Sequence, residues 1–192
     1  MLNKKNIVIF SSGNGTNAQA IIRHFKDSAI AQVSLVVSNK GDAPVLIKAS
    51  QSGVPIMILD KKEYFAAHEL VEFLKKEKTD VIVLAGFMLL IPASLTNAFP
   101  NNIVNIHPAL LPAYGGKGMY GQYVHGAVIK NKEKESGITI HYVNEKYDEG
   151  KIILQEKCKI EPGDTPEILA GKIHVLEHKY YPITIERLLA EK

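Results

Sequence analysis

The sequence predicts an α/β fold: an open, mostly parallel, doubly wound sheet with an antiparallel C-terminal extension and a long C-terminal helix. Short β-branched runs alternate with helical patterns through the first hundred residues, which is typical of parallel sheets with helices on both faces. The runs show no polar alternation, as expected for strands covered on both sides. The length fits a single domain over residues 1–192, large enough to bury a sizeable core.

The first half of the chain supplies the parallel strands and their crossover helices. Five apolar runs are predicted as strands: residues 6–10 (NIVIF), 33–37 (VSLVV), 55–59 (PIMIL), 80–84 (DVIVL) and 103–106 (IVNI). Helices are predicted over residues 16–25, 43–51 and 62–76. In the third helix an apolar stripe supports the assignment, formed by Phe65, Leu70, Phe73 and Leu74.

The second half begins with a loop and ends with a helix. Residues 110–121 (LLPAYGGKGMYG) are rich in glycine and proline and are predicted as a long surface loop. Residues 138–143 and 151–156 are predicted as two strands around a turn over residues 144–150. The final helix is predicted from Asp164 to about Arg187, with Asp164 and Glu167 as a variant capping pair at its start.

The composition predicts a soluble, cytoplasmic protein that acts on small molecules. The only cysteine, Cys158, excludes an internal disulfide, which suits a reducing compartment. No apolar stretch approaches the roughly 18 residues that span a bilayer, and the N-terminal run is too short for a signal peptide. The net charge of +3 comes from scattered lysines and arginines, a pattern that favours a small anionic substrate over a nucleic acid.

A glycine-rich loop, residues 11–17 (SSGNGTN), links the first predicted strand to the first predicted helix. Glycine lets the backbone approach a ligand, and the N-terminus of a helix favours a phosphate. Thr16 is predicted to cap the helix in a capping box with Gln19. The loop also matches a dinucleotide fingerprint, but residues 38–40 (SNK) offer no acidic group for a ribose, which disfavours a dehydrogenase. A tight turn without a ligand is the alternative.

Asn105 and His107 are the strongest candidates for a reactive pair. Period-two geometry places their side chains on one face of the fifth strand, which Pro108 ends. The carboxyl ends of parallel strands form the ligand crevice of such sheets, where the glycine-rich loop also opens. An amide and a protonated imidazole can each donate a hydrogen bond to the oxyanion of acyl transfer. Asp148, in a glycine-containing turn, is a candidate to raise the pKa of His107. A structural histidine is the alternative.

Five segments together carry a family resemblance. FSSGNGTNAQAII, VLAGFMLLIP, NIHPALLPAYGG, YDEGKIILQ and LEHKYYP occur in this order and cover nearly the whole chain. By these segments the chain resembles the folate-dependent formyltransferases of Rossmann-like fold, and among them the phosphoribosylglycinamide formyltransferase (GAR transformylase) family. The resemblance implies transfer of the formyl group of 10-formyl-tetrahydrofolate to the amine of glycinamide ribonucleotide, in de novo purine biosynthesis. The implied products are formylglycinamide ribonucleotide and tetrahydrofolate, and no metal is involved.

The resemblance also assigns roles to residues. It implies that Asn105 and His107 stabilise or protonate the tetrahedral oxyanion, while Asp148 orients His107 and raises its pKa. It implies that the ribonucleotide is bound by Gly15, Thr16, Asn17 and Glu177. It implies that the two walls of the folate pocket are Met88, Leu89, Leu90 and Ile91 on one side, and Asn144, Glu145, Lys146 and Tyr147 with Asp148 on the other.

The chain departs from the family pattern in three places. Leu89 stands where the folate wall often carries an arginine, which removes a polar contact and keeps an apolar pocket. The loop over residues 113–120 lacks the histidines of some relatives, and residues 60–67 look shortened. In that shortened segment, Lys61 or Lys62 is the candidate for a basic folate contact. The resemblance further suggests a cis peptide at Leu111–Pro112.

Rival functions follow from other features. His174, Glu177 and His178 match the H-x-x-E-H motif of inverted zinc proteases, but few residues follow to supply a third ligand. Methionyl-tRNA formyltransferase would need a C-terminal tRNA-binding domain, and formyl-tetrahydrofolate deformylase usually has an N-terminal regulatory domain. A non-catalytic phosphosugar-binding module is the alternative from another class. We expect a monomer or weak homodimer. Surface or packing roles are predicted for the histidines without an evident partner, His24, His68, His125 and His141.

Overall fold

The computed structural model of the chain describes residues 4–60, 64 and 68–191. Its strands are β1 (Lys5–Phe10), β2 (Ala31–Ser38), β3 (Ile56–Ile58), β4 (Thr79–Leu84), β5 (Ile103–His107), β6 (Glu135–Tyr142) and β7 (Ile152–Lys159). They form one sheet in the order β3-β2-β1-β4-β5-β6-β7. Strands β1 to β5 are parallel, while β6 and β7 each run antiparallel to the strand before them. The predicted fold class is confirmed.

Helices cover both faces of this sheet. Within the described residues they are α1 (Thr16–Phe25), α2 (Pro44–Gln51), α3 (His68–Lys76), α4 (Ala93–Ala98), α5 (Gln122–Lys130) and α6 (Pro166–Ala190). The sequence predicted neither α4 nor α5. The predicted start of the third helix, including Phe65, lies outside the described residues except for Tyr64. No helix in the described part of the chain is long and apolar enough to cross a membrane.

The central strands are buried on both faces. In β1, Ile7 and Ile9 face one core, which α1, α2, α5 and α6 complete. Val8 and Phe10 face the opposite core, which α3 and α4 complete. All four side chains are fully buried, and each such burial stabilises the fold by roughly 1.5–3 kcal/mol. Burial on two faces explains why these strands show no polar alternation in sequence.

The start of α1 differs from the predicted capping box. Its N-cap is Gly15, which adopts the left-handed region at φ 73°, and no side chain caps the helix. Thr16 is therefore the first helical residue, and its predicted capping box with Gln19 is wrong. The backbone can make this turn because glycine carries no Cβ.

The long helix α6 ties the sheet together. Its N-cap is Thr165, whose hydroxyl accepts the N–H of Ile168, so the predicted cap at Asp164 is displaced by one residue. Asp164 instead pairs with Lys172 on the next turns of the helix. Farther along, the buried Tyr181 hydroxyl lies 3.0 Å from the carbonyl oxygen of Leu84 and 3.1 Å from that of Val104. This contact fixes α6 against the adjacent strands β4 and β5.

Candidate active site

The carboxyl ends of β1, β4 and β5 open onto a cavity of about 570 Å³. Its lining includes most of the residues predicted for the site: Gly15, Thr16, Asn17, Met88, Leu89, Leu90, Ile91, Asn105, His107, Asn144, Lys146, Tyr147, Asp148 and Glu177. Glu145 is the exception. It is exposed at the tip of a turn in which Asn144 Oδ1 accepts the Lys146 N–H, so its side chain lies outside the cavity and not in the predicted folate wall.

The loop after β1 is shaped by Gly15. A Cβ at this position would lie 2.4 Å from Val45 Cγ2, so the close approach of α2 also requires glycine. The first hydrogen bond of α1 runs from the Gln19 N–H to the Gly15 carbonyl. The backbone N–H groups before Gln19 therefore have no partner within the helix and can bind a ligand. Lys48 on α2 braces the loop through the backbone and side-chain oxygens of Asn14, at 2.7 and 2.8 Å. Amides, helix dipole and a nearby lysine together suit an anion such as phosphate.

Glu177 joins this loop to α6. Its buried carboxylate accepts a hydrogen bond from Asn17 Nδ2 at 3.0 Å, and the same oxygen lies 2.8 Å from His174 Nδ1. The hydrogen bond to Glu177 raises the pKa of His174, which burial only partly offsets. His174 Nδ1 therefore carries a proton and donates it in a hydrogen bond to the Glu177 carboxylate. This arrangement gives the cavity a fixed acceptor beside the glycine-rich loop.

The H-x-x-E-H residues on α6 are engaged in this local pair. His174 contacts Glu177 through Nδ1, and its ring stacks on that of His178 with centroids 6.0 Å apart. Among residues 4–60, 64 and 68–191, no group of three His, Cys, Asp or Glu side chains is placed to hold a metal ion.

Asn105 lines the cavity and lies opposite His141 in the antiparallel pairing of β5 with β6. Its Nδ2 atom is 3.1 Å from His141 Nε2, and His141 Nδ1 is 2.9 Å from the Tyr142 carbonyl oxygen. The carbonyl accepts a proton from Nδ1, while Nε2 faces both Asn105 Nδ2 and, at 3.6 Å, Asp148 Oδ1. Only one of the two amide hydrogens of Asn105 is used, and the other can serve a ligand.

His107 is held between two acceptors. Its Nε2 atom donates to the Tyr114 carbonyl oxygen at 2.8 Å, and its Nδ1 atom lies 3.5 Å from Asp148 Oδ2. Burial lowers the pKa of His107 below its ordinary value, although the Asp148 carboxylate and the Tyr114 carbonyl oppose this effect. Asp148 therefore acts in the predicted direction, but burial outweighs it. Because Nε2 donates to Tyr114, Nδ1 carries a proton only in the imidazolium form, which the Asp148 carboxylate at 3.5 Å supports.

Asp148 is fixed by the turn between β6 and β7. It adopts φ 57°, a region that aspartate tolerates better than most residues, and its Oδ2 accepts the Gly116 N–H at 2.9 Å. Burial acts to raise the pKa of Asp148, but the contacts with His141, His107 and the Gly116 N–H outweigh it, and the pKa is lowered. Gly150 lets the turn close, since a Cβ there would lie 1.6 Å from the Tyr142 carbonyl oxygen.

The segment after β4 forms the apolar wall of the cavity. Met88 is anchored through its N–H to Ser12 Oγ at 2.9 Å, and the carbonyl of Leu90 accepts the buried Tyr64 hydroxyl at 3.0 Å. Leu89 and Leu90 are half-buried, and Ile91 is buried. The predicted basic contact at Lys61 or Lys62 lies outside the described residues. The predicted cis peptide at Leu111–Pro112 is present.

Three residues of this site were assigned no role from the sequence. His141 and His125 line the cavity and are buried, which excludes a surface role and agrees with the predicted packing role. Tyr64 supports the apolar wall from behind. His141 lies in a predicted strand that follows the strand of Asn105 in the sequence, and this placement could have marked it as a candidate site residue. No local pattern marks His125, because its helix α5 was itself not predicted.

Comparisons with known proteins agree with this geometry. The family model described as "Formyl transferase" matches residues 5–185. The phosphoribosylglycinamide formyltransferase of Bacillus subtilis is 40% identical over 190 residues, which cover 96% of this chain and 95% of that protein. The chloroplastic enzyme of that name from Arabidopsis thaliana is 40% identical over 98% of this chain and 67% of its own length. The chain covers 62% of the length of the Vigna unguiculata relative. It therefore spans about two thirds of the length of these two plant proteins.

The solved structures show the same fold. The crystal structure of phosphoribosylglycinamide formyltransferase from Bacillus halodurans superposes with a TM-score of 0.87 at 40% identity, covering 97% of this chain and 96% of the other. Family model, near-complete relatives and fold all converge. The chain therefore belongs to the formyl transferase family and, within it, to the phosphoribosylglycinamide formyltransferases.

Proposed function

We propose that the protein transfers the formyl group of 10-formyl-tetrahydrofolate to the amine of glycinamide ribonucleotide. One observation carries this proposal: a single cavity joins an anion-binding loop, a polar cluster and an apolar wall. The loop contains Gly15, the polar cluster contains Asn105 and His107, and the apolar wall contains Leu90. These three parts suit the phosphate, the reacting atoms and the folate ring system, in that order.

The acceptor is bound at the end of the cavity formed by α1 and α6. Its phosphate would accept hydrogen bonds from the first-turn amides of α1, where the helix dipole favours negative charge. Glu177 faces the same space and accepts donors of the sugar. An acceptor anchored there extends its amine along the cavity floor towards Asn105 and His107.

The donor occupies the other end, against the wall that includes Leu89 and Leu90. Leucine at position 89 suits contact with the folate ring system and supplies no charged partner. Polar groups of the ring would contact the backbone of this wall, which Ser12 and Tyr64 hold in place. They would also contact the opposite turn, which includes Asn144 and Tyr147. Folate is thus recognised mainly by shape and by backbone polar groups.

The chemistry is direct acyl transfer. The acceptor amine attacks the formyl carbon, a C–N bond forms, and the formyl oxygen becomes an oxyanion. The second amide hydrogen of Asn105 and a proton on His107 Nδ1 stabilise that charge, while Asp148 supports the protonated imidazole. The bond from the formyl carbon to N10 then breaks. The proton lost by the amine is gained by N10, which gives formylglycinamide ribonucleotide and tetrahydrofolate.

The His107→Ala variant tests this proposal. We expect it to lose most of the turnover while its Kd for glycinamide ribonucleotide stays within about twofold, because His107 stabilises the transition state and not the bound nucleotide. His68→Ala, an exposed change outside the cavity, is the control and should behave as wild type. Near-native turnover of His107→Ala would exclude the proposed role. Wild-type binding of the nucleotide without any transfer would instead favour a phosphosugar-binding module.

A further inference from the structure

Most of the unpartnered buried polar atoms in the described part of the chain belong to residues that line the cavity. Within the described residues, five buried side-chain polar atoms have no hydrogen-bond partner, and three of them belong to cavity-lining residues: Ser11 Oγ, Asn17 Oδ1 and His125 Nδ1. A buried polar atom without a partner costs about 1–3 kcal/mol. Such atoms on the wall of a ligand cavity point to groups that a ligand satisfies.

His125 is a buried residue of the cavity lining. It belongs to α5, which packs against α6, and its side chain is only 2% exposed. Burial lowers the pKa of His125, with an opposing effect from the Glu177 carboxylate and further lowering by His174 and His107. Glu177, His174 and His107 therefore lie near enough to His125 to act on its charge. A neutral imidazole offers one donor nitrogen and one acceptor nitrogen.

The groups around this part of the cavity are mainly acceptors. Asn17 uses its amide nitrogen on Glu177, so its unpartnered oxygen is an acceptor. Glu177 is an acceptor as a carboxylate, and a neutral His125 adds one acceptor nitrogen and one donor nitrogen. Acceptors do not bind phosphate, which is itself an acceptor. They complement hydroxyl groups, and a sugar is the part of the proposed acceptor that carries neighbouring hydroxyls.

We propose that His125, together with Asn17 and Glu177, binds the sugar hydroxyls of the acceptor nucleotide and so selects a ribosyl over a deoxyribosyl acceptor. This inference rests on the proposed function, since it takes the acceptor to be a phosphorylated riboside. His125 is thereby a specificity-determining residue. The reaction itself still takes place at Asn105 and His107.

The test compares two ligands on three proteins. The ligands are glycinamide ribonucleotide and an analogue that lacks the sugar hydroxyls, and Kd is measured by calorimetry without folate. In His125→Leu we expect the Kd for the ribonucleotide to rise about tenfold, the usual effect of one lost hydrogen bond, with kcat at saturation within about twofold. His125→Gln retains an acceptor and should recover most of the affinity. His24→Gln, whose surface partner is Glu186, should match wild type.

Discrimination between the ligands is the decisive readout. Wild type should bind the analogue at least tenfold more weakly, and His125→Leu should show little discrimination. Unchanged Kd and discrimination in His125→Leu, or a loss confined to kcat, overturns the inference. If that variant does not fold, nitrogen-15 spectra of histidine-labelled wild type replace the binding comparison. The His125 resonance should shift when the ribonucleotide binds and should not shift with the analogue. Equal shifts with both ligands overturn the inference. Failure of wild type to bind the ribonucleotide contradicts the proposed function instead.

Discussion

Replacing Asp148 by asparagine isolates the electrostatic support of His107. The change keeps the size of the side chain and an oxygen that can accept the Gly116 N–H, but it removes the negative charge 3.5 Å from His107 Nδ1. A pair of unit charges at this distance interacts by about 5 kcal/mol at an effective dielectric constant near 20. The Asp148 side chain is 12% exposed, and solvent screening reduces this interaction, so we expect about 3–4 kcal/mol to be lost from the stabilised imidazolium.

This loss corresponds to a fall in kcat of about 10²- to 10³-fold. Since the carboxylate acts to raise the pKa of His107, its removal lowers that pKa further, and the limb of the pH–rate profile that titrates His107 should move to lower pH. The assay follows the absorbance change on formyl transfer across the pH range. Binding of the ribonucleotide should be unchanged, because the contacts of Asp148 are with His107, His141 and the Gly116 N–H and not with the phosphate loop.

The matched control is Glu149→Gln, one residue along the same turn. Glu149 is exposed, pairs with Lys146 at 3.1 Å and does not line the cavity, so turnover should stay within about twofold, as for an exposed ion pair. A near-native kcat and an unmoved pH limb in Asp148→Asn would refute the electrostatic role of Asp148. An equal loss in Glu149→Gln would assign the effect to the turn and not to the charge.

Three further predictions follow from the same contacts. Asn105→Ala should lower kcat by about 10²- to 10³-fold through loss of an oxyanion donor, with the nucleotide Kd unchanged by calorimetry; an intact kcat would remove Asn105 from the reaction. Tyr64→Phe should raise the KM for the folate donor about fivefold and leave kcat unchanged, because the Leu90 carbonyl loses its donor; steady-state kinetics with an unchanged KM would contradict this. Burial lowers the pKa of His107 and of His125 from an ordinary value of 6.5, so the unfolded chain binds more protons and the free energy of unfolding should fall as the pH drops below that value. Thermal unfolding should show this decline, and it should be shallower in His125→Gln; identical slopes would argue against a neutral buried His125.

The sequence was sufficient to predict the parallel sheet, because its strands are short apolar runs separated by helical patterns. It also placed Asn105 and His107 on one face at the carboxyl edge, since both properties follow from strand periodicity and the location of the strand end. Helix α5 was missed for a physical reason. Gly126 lowers its intrinsic propensity, and its stability comes from packing Val124 and Val128 into the core.

The contacts that the sequence could not predict are long-range. His141 reaches Asn105 because β6 pairs with β5 in one antiparallel register, and no local pattern encodes that register. The pKa of His107 likewise depends on how deeply the assembled fold buries it, so the sequence-based expectation included the effect of Asp148 but not the larger effect of burial. The cytoplasmic location and the monomeric or weakly dimeric state stay predictions.

Product analysis of the purified protein tests formyl transfer most directly. With 10-formyl-tetrahydrofolate and glycinamide ribonucleotide together, we expect formylglycinamide ribonucleotide and tetrahydrofolate to form in equal amounts, and neither to form when the ribonucleotide is omitted. Free formate released without the ribonucleotide would identify a hydrolase. No formylated nucleotide under saturating concentrations of both substrates would contradict the account.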